Sequence, residues 1–342
     1  MFRKIILSIF FAGIALIAGA QDVNFSQFYE LPLLRNPALA GNFRGDIKAT
    51  GAFRTQWLSA AGVPYRTQAL GIELKSGVSE SSDDYKVIGL QVTNDQAGDS
   101  KMGKTQILPS FTFQKSLSDQ TNSYLALGAI GGPVQQRFDP TDLKFADQFV
   151  NGEYSSTNPT AQVFSRTNMT YWDFSMGLAY SGEFGRDIRY YAGAACFHIF
   201  TPKVNFNEDN DVRLNRKFIV NAGLSAPTGP DDRVIIYADV FMQGGNRQAQ
   251  GGFMYKHDMV EAEDDETMSI SAGSFIRWGD AIIPVVKFDL YKVAIGFTYD
   301  INISKLTVAS KMRGGFEATL SYRGFLNIRN TSSQKLRCPV SL

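Results

Sequence analysis

Cysteine and histidine are almost missing from this chain, and beyond its first residues so is any long apolar run. The two cysteines, Cys196 and Cys338, are too few for a disulfide framework and are expected to be free thiols. The two histidines, His198 and His257, have no Cys or His partner at metal-ligand spacing, so no metal or cofactor site is assigned. No G-x-S-x-G or comparable nucleophile signature accompanies them, and the chain is not expected to be an enzyme; an outer-membrane hydrolase would have to work through His198 or His257. Charge of one sign is also lacking, with 34 Lys and Arg against 33 Asp and Glu and a net charge of +1. That balance excludes a nucleic-acid partner held by a basic surface. With 44% hydrophobic residues the chain is not read as disordered. No later run approaches the roughly 18 apolar residues of a membrane helix. If this chain spans a bilayer it must do so as a β-barrel, because only helices and closed barrels satisfy every backbone group in lipid.

The apolar run that does exist is terminal and short. Arg3 and Lys4 precede apolar residues 5–18, and Ala18-Gly19-Ala20 supplies small residues for cleavage, the pattern of a secretory signal peptide over 1–20. No cysteine follows the cut before Gln21, so lipoprotein processing is not indicated. The mature chain is expected to have about 322 residues by that cleavage rule.

What is abundant is alternation. In YKVAIGFTYD, Tyr291, Val293, Ile295, Phe297 and Tyr299 share one face, while Lys292, Ala294, Gly296, Thr298 and Asp300 share the other. In GGFEATLSYR, Phe316, Ala318, Leu320 and Tyr322 oppose Glu317, Thr319, Ser321 and Arg323. Such a pair suits a soluble sandwich, with its greasy face on a core, or a membrane barrel, with that face on lipid. The rest of the chain favours the barrel. Strand-like runs fall at 46–57, 65–75, 86–93, 105–117, 123–131, 170–181, 189–200, 217–226, 233–243, 247–257, 267–277, 281–289, 291–300 and 315–323. Fourteen is an even number, as bacterial single-chain barrels require for both termini to lie on the periplasmic side. Aromatics at 13%, beside 31 glycines, suit interfacial girdles and close strand packing. Alternate connections are then external and longer, among them 132–169 and 301–314, while 118–122 and 183–187 are short internal turns.

Residues 21–44 fit neither strand nor regular helix. Pro32 and Pro37 interrupt the segment, yet Phe25, Phe28, Tyr29, Leu31, Leu33, Leu34 and Leu39 carry too much apolar surface for a solvated tail. Irregular backbone at membrane depth is tolerated inside protein, and fourteen strands enclose more space than wall side chains fill. The segment is therefore expected to fold inward as a plug. Phe25, Phe28, Tyr29, Asn36 and Pro37 are its expected contacts with the barrel or, alternatively, with a periplasmic partner. The organisation is thus a signal peptide at 1–20, a plug or periplasmic segment at 21–44, a barrel at 45–323 and a periplasmic tail at 324–342.

Three motifs have bland readings. Residues 98–105, GDSKMGKT, match the P-loop pattern, but Pro109 and an alternating run follow where a phosphate-binding helix would have to start, so nucleotide is not expected. The acidic stretches 207–211 and 261–266 lack EF-hand spacing and read as solvated loops rather than calcium sites. Asn-x-Ser/Thr at Asn168, Asn302 and Asn330 is too short a pattern to carry a function.

One resemblance spans nearly the whole mature chain. NFSQFYELPLLRNPALAG, FRTQW and YDINISKLTVASKMRGGFEATLSYR, with FHIFTPKVNF, AGLSAP, GDAIIPVVK and LNIRNTSSQKLRCP, strongly resemble the PorP/SprF family, outer-membrane components associated with type IX secretion and gliding of Bacteroidetes. That resemblance implies a non-enzymatic barrel in outer-membrane lipid that supports secretion or surface anchoring of a partner, often a large adhesin with a C-terminal sorting domain. It also implies contacts with periplasmic lipoprotein subunits of the machinery. The family often ends Arg-Cys-Pro-Arg-Phe; here Arg337-Cys338-Pro339 is followed by Val340-Ser341-Leu342 instead. Asn36-Pro37-Ala38 is similar to a step near the start of fourteen-stranded long-chain fatty acid transporters. The competing expectation is accordingly a diffusion channel or transporter for a small solute.

Overall fold

The computed structural model describes residues 22–326 apart from 57–63, 80, 99, 119, 142, 151–152, 163, 186, 208–210, 262–266 and 305–312. Its strands are β1 (Ile47–Gln56), β2 (Tyr65–Ser79), β3 (Ser82–Ala97), β4 (Met102–Ser118), β5 (Ser123–Arg137), the short pair β6 (Phe149–Val150) and β7 (Glu153–Tyr154), β8 (Asn168–Phe184), β9 (Ile188–Phe197), β10 (Lys217–Pro227), β11 (Asp232–Gln243), β12 (Asn246–Glu261), β13 (Thr267–Arg277), β14 (Ala281–Leu290), β15 (Val293–Asn302) and β16 (Arg313–Gly324). All but β6 and β7 form one closed antiparallel barrel of fourteen strands. Closure is made by β1 and β16, in register from Ile47 opposite Gly324 to Gln56 opposite Gly315. A barrel so closed leaves no strand edge unpaired.

Polarity runs opposite to that of a soluble sandwich. On β16 the apolar Phe316, Leu320 and Tyr322 are exposed, whereas Glu317, Thr319 and Ser321 are buried. On β8, Trp172, Phe174, Met176 and Leu178 point outward, while Asp173, Ser175 and Ser181 are buried inside. An outward apolar band of this extent is stable against lipid, not water. Aromatic side chains flank it: Trp172, Trp278 and Tyr299 stand near one end, and Phe184, Tyr291 and Tyr322 near the other. No described helix is long and apolar enough to cross a membrane.

The observed strands overrun several expected ones. Alternation of greasy outward residues marks only the part of a strand in lipid, whereas the hydrogen-bond ladder continues through polar rims such as Gln135-Gln136-Arg137 of β5. The expected strand 291–300 instead begins at Val293. Tyr291 has a φ of 56° and makes a tight turn with Lys292. Connections at the two ends differ, though not in every case as expected. One end carries 138–167, 198–216 and 303–312, but also two tight turns, at Gly244-Gly245 and at 278–280, where external loops are expected to be long. Gly244 and Gly245 have φ of 55° and 86°, values that suit a two-residue hairpin turn. Among the described residues the opposite end has short turns, and both the first and the last barrel strand meet it.

If the outward face lies in lipid, a charge placed there is costly. Leu127, on the outward face of β5, is 53% exposed. Leu127→Arg is expected to destabilise the vesicle-embedded barrel by about 2–4 kcal/mol in reversible denaturant unfolding; a neutral or stabilising change would point to a water-facing surface.

Candidate functional site

The barrel does not enclose open space along its length, because residues 22–46 run inside it. A 3-10 turn (Phe28–Glu30), one helical turn (Pro32–Arg35) and a second 3-10 turn (Pro37–Leu39) compact the segment. Pro32 and Pro37 start their turns, where a missing N–H costs nothing. Asn36 fixes the second by accepting a hydrogen bond from the Ala38 amide at 2.9 Å. Partners lie on each of β1 to β5 and β8 to β16, so the wall surrounds the segment.

The path begins near the end that bears the long loops. Asp22 pairs with Lys104 of β4 at 2.9 Å and meets His198 Nε2 at 2.6 Å, while His198 Nδ1 lies 2.7 Å from Asp173. Lys217 lies 3.8 Å from the same carboxylate, so three basic side chains surround Asp22. Glu317 then accepts from the amides of Ser26 and Gln27, each at 2.7 Å. Ser26 Oγ donates to Asp300 at 2.6 Å and accepts from Arg277 at 2.9 Å. Arg54 binds Asp300 at 2.7 Å and donates to the Asn24 carbonyl. Thus two arginines and two carboxylates from β1, β13, β15 and β16 close around Asn24, Ser26 and Gln27.

Arg35 holds the middle. Its Nε donates to Asp239 of β11 at 2.8 Å, a second guanidinium arm meets the other carboxylate oxygen, and Nη1 donates to the Tyr191 hydroxyl at 2.8 Å. The same guanidinium stacks over the Phe28 ring at 4.8 Å. Nearer the short-turn end, Glu30 pairs with Lys287 at 2.6 Å and lies 3.6 Å from Lys48.

Each candidate contact residue lies in this interior. Phe25 packs with Leu31, Ala52 and Ala69. Phe28 meets Phe275 edge-on at 5.5 Å, and Tyr29 stacks on Tyr237 at 5.0 Å. Asn36 Nδ2 donates to the Leu178 carbonyl at 3.1 Å, and the Pro37 carbonyl accepts from Thr112 at 2.8 Å. Two glycines make that approach possible: a Cβ on Gly177 would overlap the Asn36 side chain, and one on Gly128 would strike the Pro37-Ala38 peptide. Sequence reasoning missed Asp22, Ser26, Glu30 and Arg35. The available signal was charge on the inward positions of β1, β11, β14, β15 and β16, which needed counterparts somewhere.

Other marked residues have structural places. The P-loop-like lysine, Lys104, sits in β4 rather than at a helix start and pairs with Asp22. His257 pairs with Asp232 at 2.8 Å on an exposed rim. Asp211 of one acidic stretch pairs with Lys203 at 3.1 Å. Residues 262–266 of the other, and Cys338, lie outside the described residues. Cys196 is a free, half-buried thiol on β9. Among the described residues no three Asp, Glu, His or Cys groups converge as a metal set.

Between segment and wall remain cavities of about 70 Å³ beside Glu30 and Arg35 and about 30 Å³ beside Phe25 and Asp239. They offer room for a few waters at most. At the short-turn mouth the lumen widens into a vestibule of about 620 Å³.

A family model described as the type IX secretion system membrane protein PorP/SprF matches residues 17–322, which include the luminal segment and almost the whole barrel. The chain belongs to the PorP/SprF family. Solved barrels similar to this PorP/SprF chain include the Ralstonia pickettii toluene transporter TbuX, at 10% identity and a TM-score of 0.47, covering 85% of this chain and 92% of that one. A deletion mutant of the monoaromatic hydrocarbon channel TodX is 11% identical with a TM-score of 0.43, covering 85% and 93%. Haemophilus ducreyi BamA lacking POTRA domains 1–3 is 8% identical with a TM-score of 0.40, covering 82% and 70%. Comparison with curated protein sequences finds no match.

The Arg35–Asp239 pair gives a test of how the PorP/SprF interior is held. Arg35→Met strands a buried carboxylate and is expected to cost about 3–5 kcal/mol, whereas Arg35→Met with Asp239→Leu removes both charges and recovers most of it. Denaturant midpoints in vesicles separate the cases; equal losses in the single and double variants would show that packing, not charge, dominates.

Proposed function

We propose that this chain is a non-enzymatic outer-membrane component of the type IX secretion and gliding machinery, supporting secretion or surface anchoring of a partner protein such as an adhesin with a C-terminal sorting domain. The leader is removed, residues 21–44 act as a plug, and the short-turn end faces the periplasm with the tail 324–342. Periplasmic lipoprotein subunits of the machinery are the partners on that side. The observation that carries this reading is the family match across residues 17–322.

A filled lumen supports it against solute diffusion. A channel needs a continuous wet path, and here buried ion pairs and aromatic stacks occupy the axis while the adjoining cavities are water-sized. Moving residues 22–46 aside would strip Asp239 of Arg35 and Glu317 of the Ser26 and Gln27 amides. A barrel that stays closed offers its two rims and its loops as binding surfaces.

Deletion of the gene followed by an inventory of surface proteins tests the role: loss of a particular exported or anchored protein is expected, and an unchanged surface with impaired solute uptake overturns it. In planar bilayers the intact barrel is expected to conduct negligibly, and removal of residues 23–41 to open measurable single-channel steps. A truncated barrel that inserts normally and conducts no better would refute the plug.

A further inference from the structure

The connection between β9 and β10 is folded onto the luminal segment. Its first residue, His198, is 2% exposed and bridges two carboxylates: Nε2 meets Asp22 of the segment at 2.6 Å, and Nδ1 meets Asp173 of β8 at 2.7 Å. Further along, Val204 on the arm 198–207 and Leu214 on the arm 211–216 join Leu33 of the segment in one apolar cluster with Leu108, Ile130, Val134 and Tyr171 of the wall. The arms are tied to each other, the Val204 amide donating to the Val212 carbonyl at 2.8 Å and the Leu214 amide to that of Pro202 at 2.9 Å. They also carry the neighbouring connection 138–167: Arg166 donates twice to the Asn205 carbonyl, at 3.1 and 2.9 Å, and Phe138 meets Phe206 edge-on at 4.7 Å. Two of the long connections thus rest on a base to which the segment contributes Asp22 and Leu33.

Backbone strain falls at the same place. His198 has a φ of 56° and Thr201 one of 44°. Positive φ is uncommon outside glycine, and for a β-branched threonine it is an outlier that persists only where surrounding contacts impose it. His198 is fixed from both sides by Asp22 and Asp173, and its carbonyl accepts from the Thr201 amide at 3.0 Å.

We propose that the luminal segment has a second role besides filling the barrel: it is the strut that shapes the long-loop surface. Asp22 and Leu33 hold the arms 198–207 and 211–216 in their strained, inward fold, and the arms in turn seat 138–167. At its other end the segment is joined to the wall, where the Asp46 amide donates to the Gly324 carbonyl at 2.8 Å, so the strut reaches from one mouth of the barrel to the other. A partner that binds the long-loop surface in this form also stabilises the seated segment, by reciprocity of linkage. That this surface faces outward and meets such a partner rests on the secretion reading above; the dependence of its shape on the segment does not.

The test is brief trypsin digestion of the full chain in nanodiscs, read by mass spectrometry as cleavage after Lys203 and Arg213, two exposed side chains that face each other across the tied arms. Cleavage within a folded region follows the population of its opened form. Asp22→Asn is expected to raise it by about tenfold, the equivalent of one charge-assisted hydrogen bond. Leu33→Ala, which leaves every charge in place, is expected to raise it as well and carries the test if Asp22→Asn does not insert. Glu30→Gln, whose lysine partners lie toward the other mouth, is expected to leave it unchanged. Heat modifiability on gels verifies that each variant remains a barrel. An unchanged rate in either folded variant, or an equal rise in Glu30→Gln, would overturn the proposal, the latter by showing general loosening. Because the readout is taken on the isolated barrel, faster cleavage in Asp22→Asn upholds the strut even where gene deletion leaves the surface proteins unchanged and removes the secretion role.

Discussion

A closed sheet of fourteen strands is too wide for its own inward side chains to fill, and most of this structure follows from that constraint. About eight strands is the number that wall side chains can pack alone. Here the excess space is occupied by residues 22–46, and the wall is polar because what it meets is backbone. Irregular chain inside a membrane protein exposes amides and carbonyls that cannot be left unpaired. Glu317 takes two amides, Thr112 and Gln114 donate to the carbonyls of Pro37 and Ala40, and Glu73 accepts from the Gly41 amide. The wall side chains thus stand in for the hydrogen-bond partners that a regular element would find within itself. Charges follow the same rule: Arg35, Glu30 and Asp22 each face an opposite charge from a different part of the wall.

The barrel was legible because alternation in a lipid-facing strand is written entirely in local sequence. Phe316, Leu320 and Tyr322 against Glu317, Thr319 and Ser321 require only a period of two. That pattern alone does not say which face is wet, and it took the chain's other twelve such segments and its leader to decide it. The pairing of inward charges was not legible. Ser26 and Asp300 are 274 positions apart, and nothing near either residue names the other. Lys104 shows the cost of reading locally: its neighbours spell a phosphate loop, but a β-strand turns the side chain inward to Asp22. The tight turns at Gly244-Gly245 and at 278–280 escaped for a related reason. Loop length was argued from the alternation of sides, whereas each hairpin turn is set by its own residues.

Fold does not settle function in this architecture, since a membrane barrel with a long central axis serves transporters, assembly factors and anchors alike. The difference lies in what occupies the axis and how firmly. A diffusion pathway tolerates mobile or weakly held obstructions. Here the contents are fixed by buried ion pairs, a stacked Tyr29–Tyr237 pair and wall glycines shaped to the Asn36-Pro37 backbone. On the secretion reading such rigidity is useful: a barrel that keeps its lumen closed preserves the membrane barrier while its rims engage other proteins.

The two rims are not isolated from that interior. Tyr237, Lys287 and Arg323 line both the small cavity beside Glu30 and the vestibule at the short-turn mouth. A single layer of side chains therefore separates the vestibule from the luminal segment. Lys287 already contacts Glu30 at 2.6 Å and stands 3.6 Å from Asp289, so it is shared between the segment and the wall. Tyr237 makes a matching link between the apolar depth of the vestibule and the aromatic stack with Tyr29.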